Sequence, residues 1–165
     1  MVEHISHKAG ASKEETYQEL LPQIHNLIAS ETDLIANLAN ISAVLHSAFK
    51  HLWTGFYLHK GDDLVLGPFQ GPLACSRIAL KPIAKGVCGK SAESQQSILV
   101  PDVSKFPGHI SCSSHSKSEI VVPLVHKGET CLILDIDSTK LNNFDDIDAK
   151  HLAVLIDLIR RQHFS

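Results

Sequence analysis

The sequence predicts an α+β domain in which an antiparallel sheet of five or six strands carries helices on one face and a loop-covered pocket on the other. Three observations predict it. Apolar residues recur at spacings of three and four near both ends of the chain, the period of a helix with one buried face. The middle holds short runs rich in β-branched and aromatic residues, bounded by Gly, Pro and Asp. Between those runs lie two long stretches dense in Gly, Pro and Ser. At 165 residues, 44% hydrophobic and 20% charged, the chain has the size and composition of one domain with a proper core.

The elements follow in order. Residues 1–11 carry no periodic pattern and are expected to be a flexible N-terminus, with residues 12–165 as the single domain. Ser12 followed by Glu15 is a capping box opening a helix over about 13–30, with Tyr17, Leu20, Leu21, Ile24, Leu27 and Ile28 as its apolar stripe. Pro22 inside it should bend or split it. Thr32 caps a second helix over 33–49. Trp53–Leu58 reads as a strand, Gly61-Asp62-Asp63 as a turn, and Leu64–Leu66 as the returning strand. Segment 67–89 is an irregular excursion with one short strand near 76–80. A short helix at 87–96, a brief strand at 98–100 and a second irregular stretch at 101–116 come next. Ile120–Val125 and Cys131–Ile136 form a hairpin, and Asn143 caps a closing helix over 144–162.

Charge and targeting exclude several classes. Lys+Arg is 15 against Asp+Glu 18, a net charge of −3, so no basic excess exists to neutralise a phosphate backbone and nucleic acid is not an expected partner. The charged first thirty residues hold no apolar core of a secretory leader, and no window is long and apolar enough to span a membrane. The expectation is a cytoplasmic protein, where disulfides are catalytic rather than structural.

Chemistry concentrates in the loops. Cys75, Cys88 and Cys112 lie in the Gly/Pro/Ser-rich stretches, whereas Cys131 begins an apolar strand run and reads as a small buried hydrophobe. Cys112 sits in Gly108-His109-Ile110-Ser111-Cys112-Ser113-Ser114-His115, where flanking histidines and free N–H groups favour a thiolate. A metal site using His109, Cys112 and His115 with Cys75 or Cys88 is the competing reading. No CxxC supports it, and no metal or other cofactor is expected. Asp135 and Asp137 stand two apart in a strand and share a face. They are either a solvated strand end or a carboxylate pair whose repulsion holds one proton near neutral pH. Trp53 and Tyr57 share a face too, either as core or as an aromatic pocket wall with Gly55 leaving room. The remaining histidines (His4, His7, His25, His46, His51, His59, His126, His151 and His163) read as surface or filler.

Seven segments in order carry a family resemblance. They are Trp53–Leu58, Leu66–Gly71, Ala74–Ile78, Lys85–Gly89, Gly108–Cys112, Ser118–Leu124 and Leu134–Ser138. Over about 16–160 the chain resembles the free methionine-(R)-sulfoxide reductases, cytosolic enzymes built on a GAF domain. The resemblance implies that Cys112 attacks the sulfoxide sulfur and that Cys75 and Cys88 are the cysteines that form disulfides with it. It further implies that Glu119, Asp135 and Asp137 bind the substrate's polar groups and sulfoxide oxygen, with Trp53 and Tyr57 walling the methyl end. It implies a homodimer recycled by thioredoxin. The alternative is a GAF-type sensor of a small ligand or of thiol oxidation, without turnover. The link Ala79–Ala84 is about three residues longer than the family pattern, which bears on how Cys75 approaches Cys112.

The chemistry implied needs Glu119, Asp135 and Asp137 in one pocket, and this constrains the hairpin. A two-residue turn at Lys127-Gly128 pairs His126 with Glu129, and counting back sets Glu119 opposite Ile136, on the wrong sheet face. The expectation is therefore a three-residue loop, Lys127-Gly128-Glu129, with His126 opposite Thr130 and Glu119 opposite Asp137.

Overall fold

The computed structural model describes residues 4–165. Helices α1 (Lys13–Ala29) and α2 (Leu34–Phe49) lead into strands β1 (Trp53–Lys60), β2 (Asp63–Gln70) and β3 (Arg77–Ala79). Helix α3 (Gly86–Ser94), strand β4 (Ile98–Val100), a single 3-10 turn (Val103–Lys105), the β5 (Ser118–His126)–β6 (Glu129–Ser138) hairpin and helix α4 (Asp146–His163) complete the chain. All strand pairs are antiparallel, in the order β3-β2-β1-β6-β5-β4, so the expected sheet has six strands. Of the 1–11 segment, residues 1–3 lie outside the described residues. Residues 4–11 form no helix or strand, although Ser6 exchanges two hydrogen bonds with the Gln23 side chain.

Strand alternation divides the molecule into two apolar layers. Phe56, Ile120, Val122, Leu124, Leu132, Leu134 and Ile136 point to one face, where α1, α2 and α4 cover them. Trp53, Tyr57, Val121 and Ile133 point to the other, under α3 and the two long loops. Each large aliphatic side chain buried on the helical face contributes about 1.5–3 kcal/mol. That burial explains why α1 runs unbroken through Pro22 rather than splitting there. The proline forfeits one backbone bond, while Leu20, Ile24 and Ile28 on either side stay fully buried.

The helix caps correct two sequence expectations. The Ser12/Glu15 capping box forms as expected. Asp33, not Thr32, caps α2, accepting from the Ala36 N–H. Asp145, not Asn143, caps α4 in a second capping box with Asp148. In both cases a carboxylate one or two residues further on satisfies the orphan N–H groups better than the residue chosen from periodicity. Asp148, fully buried, also pairs with Lys13 and accepts from the Tyr17 hydroxyl at 2.8 Å. His151 stacks on Tyr17 and bonds Glu14, and His51 is buried beside Phe49, so these two histidines are core rather than surface. Asp148→Ala leaves the Tyr17 hydroxyl and Lys13 ammonium short of a partner and removes half of a capping box. We expect it to cost about 2–4 kcal/mol in a denaturant titration, with Asp148→Asn costing visibly less.

The hairpin reaches the expected register by a different route. The loop has two residues, Lys127 and Gly128, both with positive φ, and pairs His126 with Glu129. The register then shifts between Val125, opposite Thr130, and Leu124, opposite Leu132. Cys131 is the extra residue of this β-bulge. Beyond it Glu119 faces Asp137 and Val121 faces Asp135, as the three-acid pocket requires. The bulge also leaves Cys131 half-buried at the edge of the helical layer instead of within it.

Candidate active site

The register builds one row across the sheet. Trp53 on β1 lies opposite Asp137 on β6, and Asp137 lies opposite Glu119 on β5. The next row sets Gly55 opposite Asp135. A side chain at Gly55 would meet Phe69 Cβ at 2.4 Å and Trp53 Cη2 at 2.6 Å. The room at Gly55 is thus taken by the Trp53 ring and by Phe69, which stack with centroids 5.3 Å apart, rather than left for a ligand. Tyr57 also stacks on Trp53, with centroids 5.9 Å apart, and its hydroxyl donates to the Cys75 carbonyl at 2.9 Å.

Above this floor the loops bring the cysteines together. Cys75 and Cys112 form a disulfide with Cα atoms 5.6 Å apart, so the longer 79–84 link does not keep Cys75 from Cys112. Cys112 is exposed and Cys75 half-buried, at the mouth of the pocket. Cys88, in the first turn of α3, is free and buried, its Sγ 3.4 Å from Asp135 Oδ2 and 3.9 Å from Glu119 Oε1. Gly86 opens α3 at φ +63°, and a Cβ there would press on Ile110 at 3.2 Å, so a glycine fixes how closely α3 and the Cys112 loop approach. With the disulfide closed, the enclosed space is about 40 Å³, room for a few water molecules.

The acids are buried where like charges converge. Burial, and then the Asp137 charge, push Glu119 up to about 8. Burial and the two neighbouring carboxylates push Asp135 well above the carboxylate range, and burial raises Asp137 against the opposing hydrogen bond from Ser116. Asp135 is buried, so the solvated strand-end reading fails for it, while Asp137, half-buried near the end of β6, faces Glu119 and accepts from Ser116. Burial and the same carboxylates raise the Cys88 thiol well above its ordinary value, overriding its place at a helix N-terminus. Two buried polar atoms lining the pocket have no hydrogen-bond partner among the described residues: Asp135 Oδ1 and Trp53 Nε1.

All eight residues singled out from the sequence meet in this pocket: Trp53, Tyr57, Cys75, Cys88, Cys112, Glu119, Asp135 and Asp137. Cys75 is present through its disulfide and its bond to Tyr57. The metal set drawn from the sequence does not assemble, because Cys75 and Cys112 are bonded to each other. Cys88, Glu119 and Asp135 do present one ligand atom each within 4.8 Å, with the thiol and both acids disposed to hold protons. Sequence reasoning missed the roles of His109 and Ser116. His109 Nε2 lies 3.2 Å from Glu119 Oε2, and the Ser116 hydroxyl donates to Asp137. Both flank Cys112 at short range in the chain, which is the cue that could have found them.

A six-stranded antiparallel sheet with helices behind and a loop-roofed, cysteine-lined pocket in front defines a GAF domain, and the GAF domain family model matches residues 29–161. The chain is 45% identical to free methionine-R-sulfoxide reductase of Escherichia coli, over 88% of this chain and 87% of that protein. It is 38% identical to the Saccharomyces cerevisiae protein of the same name, over 96% and 92%. The free methionine-R-sulfoxide reductase of Neisseria meningitidis, solved with its substrate, superposes with a TM-score of 0.91 at 45% identity, covering 96% of this chain and 95% of that one. The chain belongs to the free methionine-R-sulfoxide reductases.

Proposed function

We propose that this chain reduces free L-methionine (R)-sulfoxide to methionine, with Cys112 as nucleophile and Cys75 as the thiol that resolves it. The reading rests on one observation: the Cys75–Cys112 disulfide lies at a pocket that holds three carboxyls, Glu119 and Asp135 buried and Asp137 half-buried. A sulfoxide sulfur accepts a thiolate only as its oxygen gains a proton. Glu119 and Asp137 face each other, and one proton shared between them is available for that oxygen. The Cys112 thiolate takes the oxygen, methionine leaves, and Cys112 is left as a sulfenic acid, its sulfur oxidised by two electrons as the substrate sulfur is reduced. Condensation with the Cys75 thiol expels water and forms the disulfide.

The unpartnered atoms suit a free amino acid. Asp135 Oδ1 is an acceptor without a donor, which an ammonium group supplies and an amide-linked methionine does not. Trp53 Nε1–H is a donor without an acceptor, which a carboxylate or sulfoxide oxygen supplies. Trp53 and Tyr57 wall the methyl end, and Cys88 holds Asp135 in place from α3 as a reserve thiol. Thioredoxin is the proposed reductant, by thiol–disulfide exchange at the exposed Cys112. The proposed working form is a homodimer in the cytoplasm. Among the described residues no helix is long and apolar enough to cross a membrane.

The test is NADPH consumption with thioredoxin, thioredoxin reductase and racemic free methionine sulfoxide. Turnover should stop at half the substrate, leaving the S epimer, and peptide-bound methionine sulfoxide should be inert. Binding of the sulfoxide without turnover, thiols intact, would convert the assignment to a sensor.

A further inference from the structure

Each turnover removes one proton from the Glu119/Asp137 pair, and the pocket must return it before the next. The groups facing Glu119 are poor sources. Asp137 opposite belongs to the pair that has lost the proton, Asp135 on the neighbouring row of β6 and the Cys88 thiol from α3 are themselves buried, and Tyr57 on β1 has its hydroxyl committed to the Cys75 carbonyl. The imidazole of His109 is different. Its Nε2 is 3.2 Å from Glu119 Oε2, and it stands on the loop that carries Cys112, 13% exposed against 6% for Glu119. Its neighbours Pro107 and Gly108 are open to solvent.

Building on the reductase reading, we propose that His109 acts through Glu119, conducting a proton from solvent back to it after each turnover. Glu119 gives its proton to the oxygen that ends on Cys112. As the resulting carboxylate takes the Nε2 proton of the imidazole, Nδ1 takes one from solvent hydronium in the same step, and the ring returns to its starting tautomer by exchange with solvent. Burial keeps the His109 imidazole neutral at ordinary pH, against the pull of Asp137, so it passes a proton on without storing charge in the pocket. The nucleophile and the group that recharges its acid thereby ride on one loop, three residues apart.

The experiment compares wild type, His109→Gln and His109→Ala, in the full chain with saturating dithiol reductant. Wild-type turnover tests the reductase reading by itself, and its absence would end that reading whatever the variants do. With wild type active, both variants should release methionine in a first turnover near the wild-type rate, using the proton already on Glu119. Steady-state kcat should fall about tenfold or more with KM changed less than about threefold. In His109→Ala, kcat should fall further with rising pH where the wild type is flat, and added imidazole should restore it. A first turnover slowed as much as the steady state, with no response to imidazole in His109→Ala, would reduce His109 to a packing residue and overturn the proposal. So would wild-type cycling in both variants.

Discussion

Cys112→Ser should abolish methionine release even in a single turnover, a loss on the order of a thousandfold or more. Serine keeps the size of the side chain but offers no thiolate, and no other cysteine combines exposure with a place in the pocket mouth. Cys131→Ser should leave activity within about twofold, because Cys131 is the bulge residue at the edge of the helical layer. Cys75→Ser and Cys88→Ser should both release one equivalent of methionine and then cycle poorly with thioredoxin, Cys75→Ser the worse of the two. The buried Cys88 thiol, 3.4 Å from Asp135 and held protonated by burial, is a slow partner for a sulfenic acid. Rapid-quench measurement of methionine distinguishes these cases. If Cys88→Ser, and not Cys112→Ser, loses the first turnover, the deep thiol is the nucleophile and the roles exchange.

Glu119→Gln should lower kcat about 10²–10⁴-fold, the usual span for loss of a positioned general acid. Its effect on stability runs the other way. Burial and Asp137 raise Glu119 from its ordinary 4.5 to about 8, so the folded protein holds this proton more tightly than the unfolded chain. Its contribution to stability is complete below about pH 4.5 and is lost as pH climbs through about 8, because the unfolded carboxyl ionises freely while the folded one resists. Glutamine cannot ionise and keeps the shape. The variant should be more stable than wild type at pH 8 and indistinguishable from it near pH 4. Urea titrations at the two pH values check this. Equal stability of the two proteins at both pH values would mean that Glu119 is ionised in the folded protein and gives no proton.

How much of this was legible in the sequence depends on whether the cause was local. Helix periodicity placed α1, α2 and α4 within a few residues, because each buried stripe is a property of a short stretch of chain. The Ser12/Glu15 box was legible for the same reason, since its two bonds close within four residues. Which residue caps α2 or α4 was not, because Thr32 and Asn143 are also cap-forming types, and the exact residue at which each helix starts decides that Asp33 and Asp145 take the role.

The site divides along the same line. The pairing of Asp135 with Asp137 on one face followed from strand alternation alone, as did that of Trp53 with Tyr57. Their burial, and so the protons they hold, was decided by the loops that roof them. The sequence alone determined that Glu119 must face Asp137 if the chemistry is to work, and it inferred a longer turn. Tertiary structure made the same register from a shorter turn and a bulge at Cys131, because a one-residue slip can be absorbed anywhere along a hairpin and side-chain packing chooses where. The contact between His109 and Glu119 spans ten residues and two elements. No periodicity encodes it, because it exists only once the Cys112 loop has folded down over the sheet.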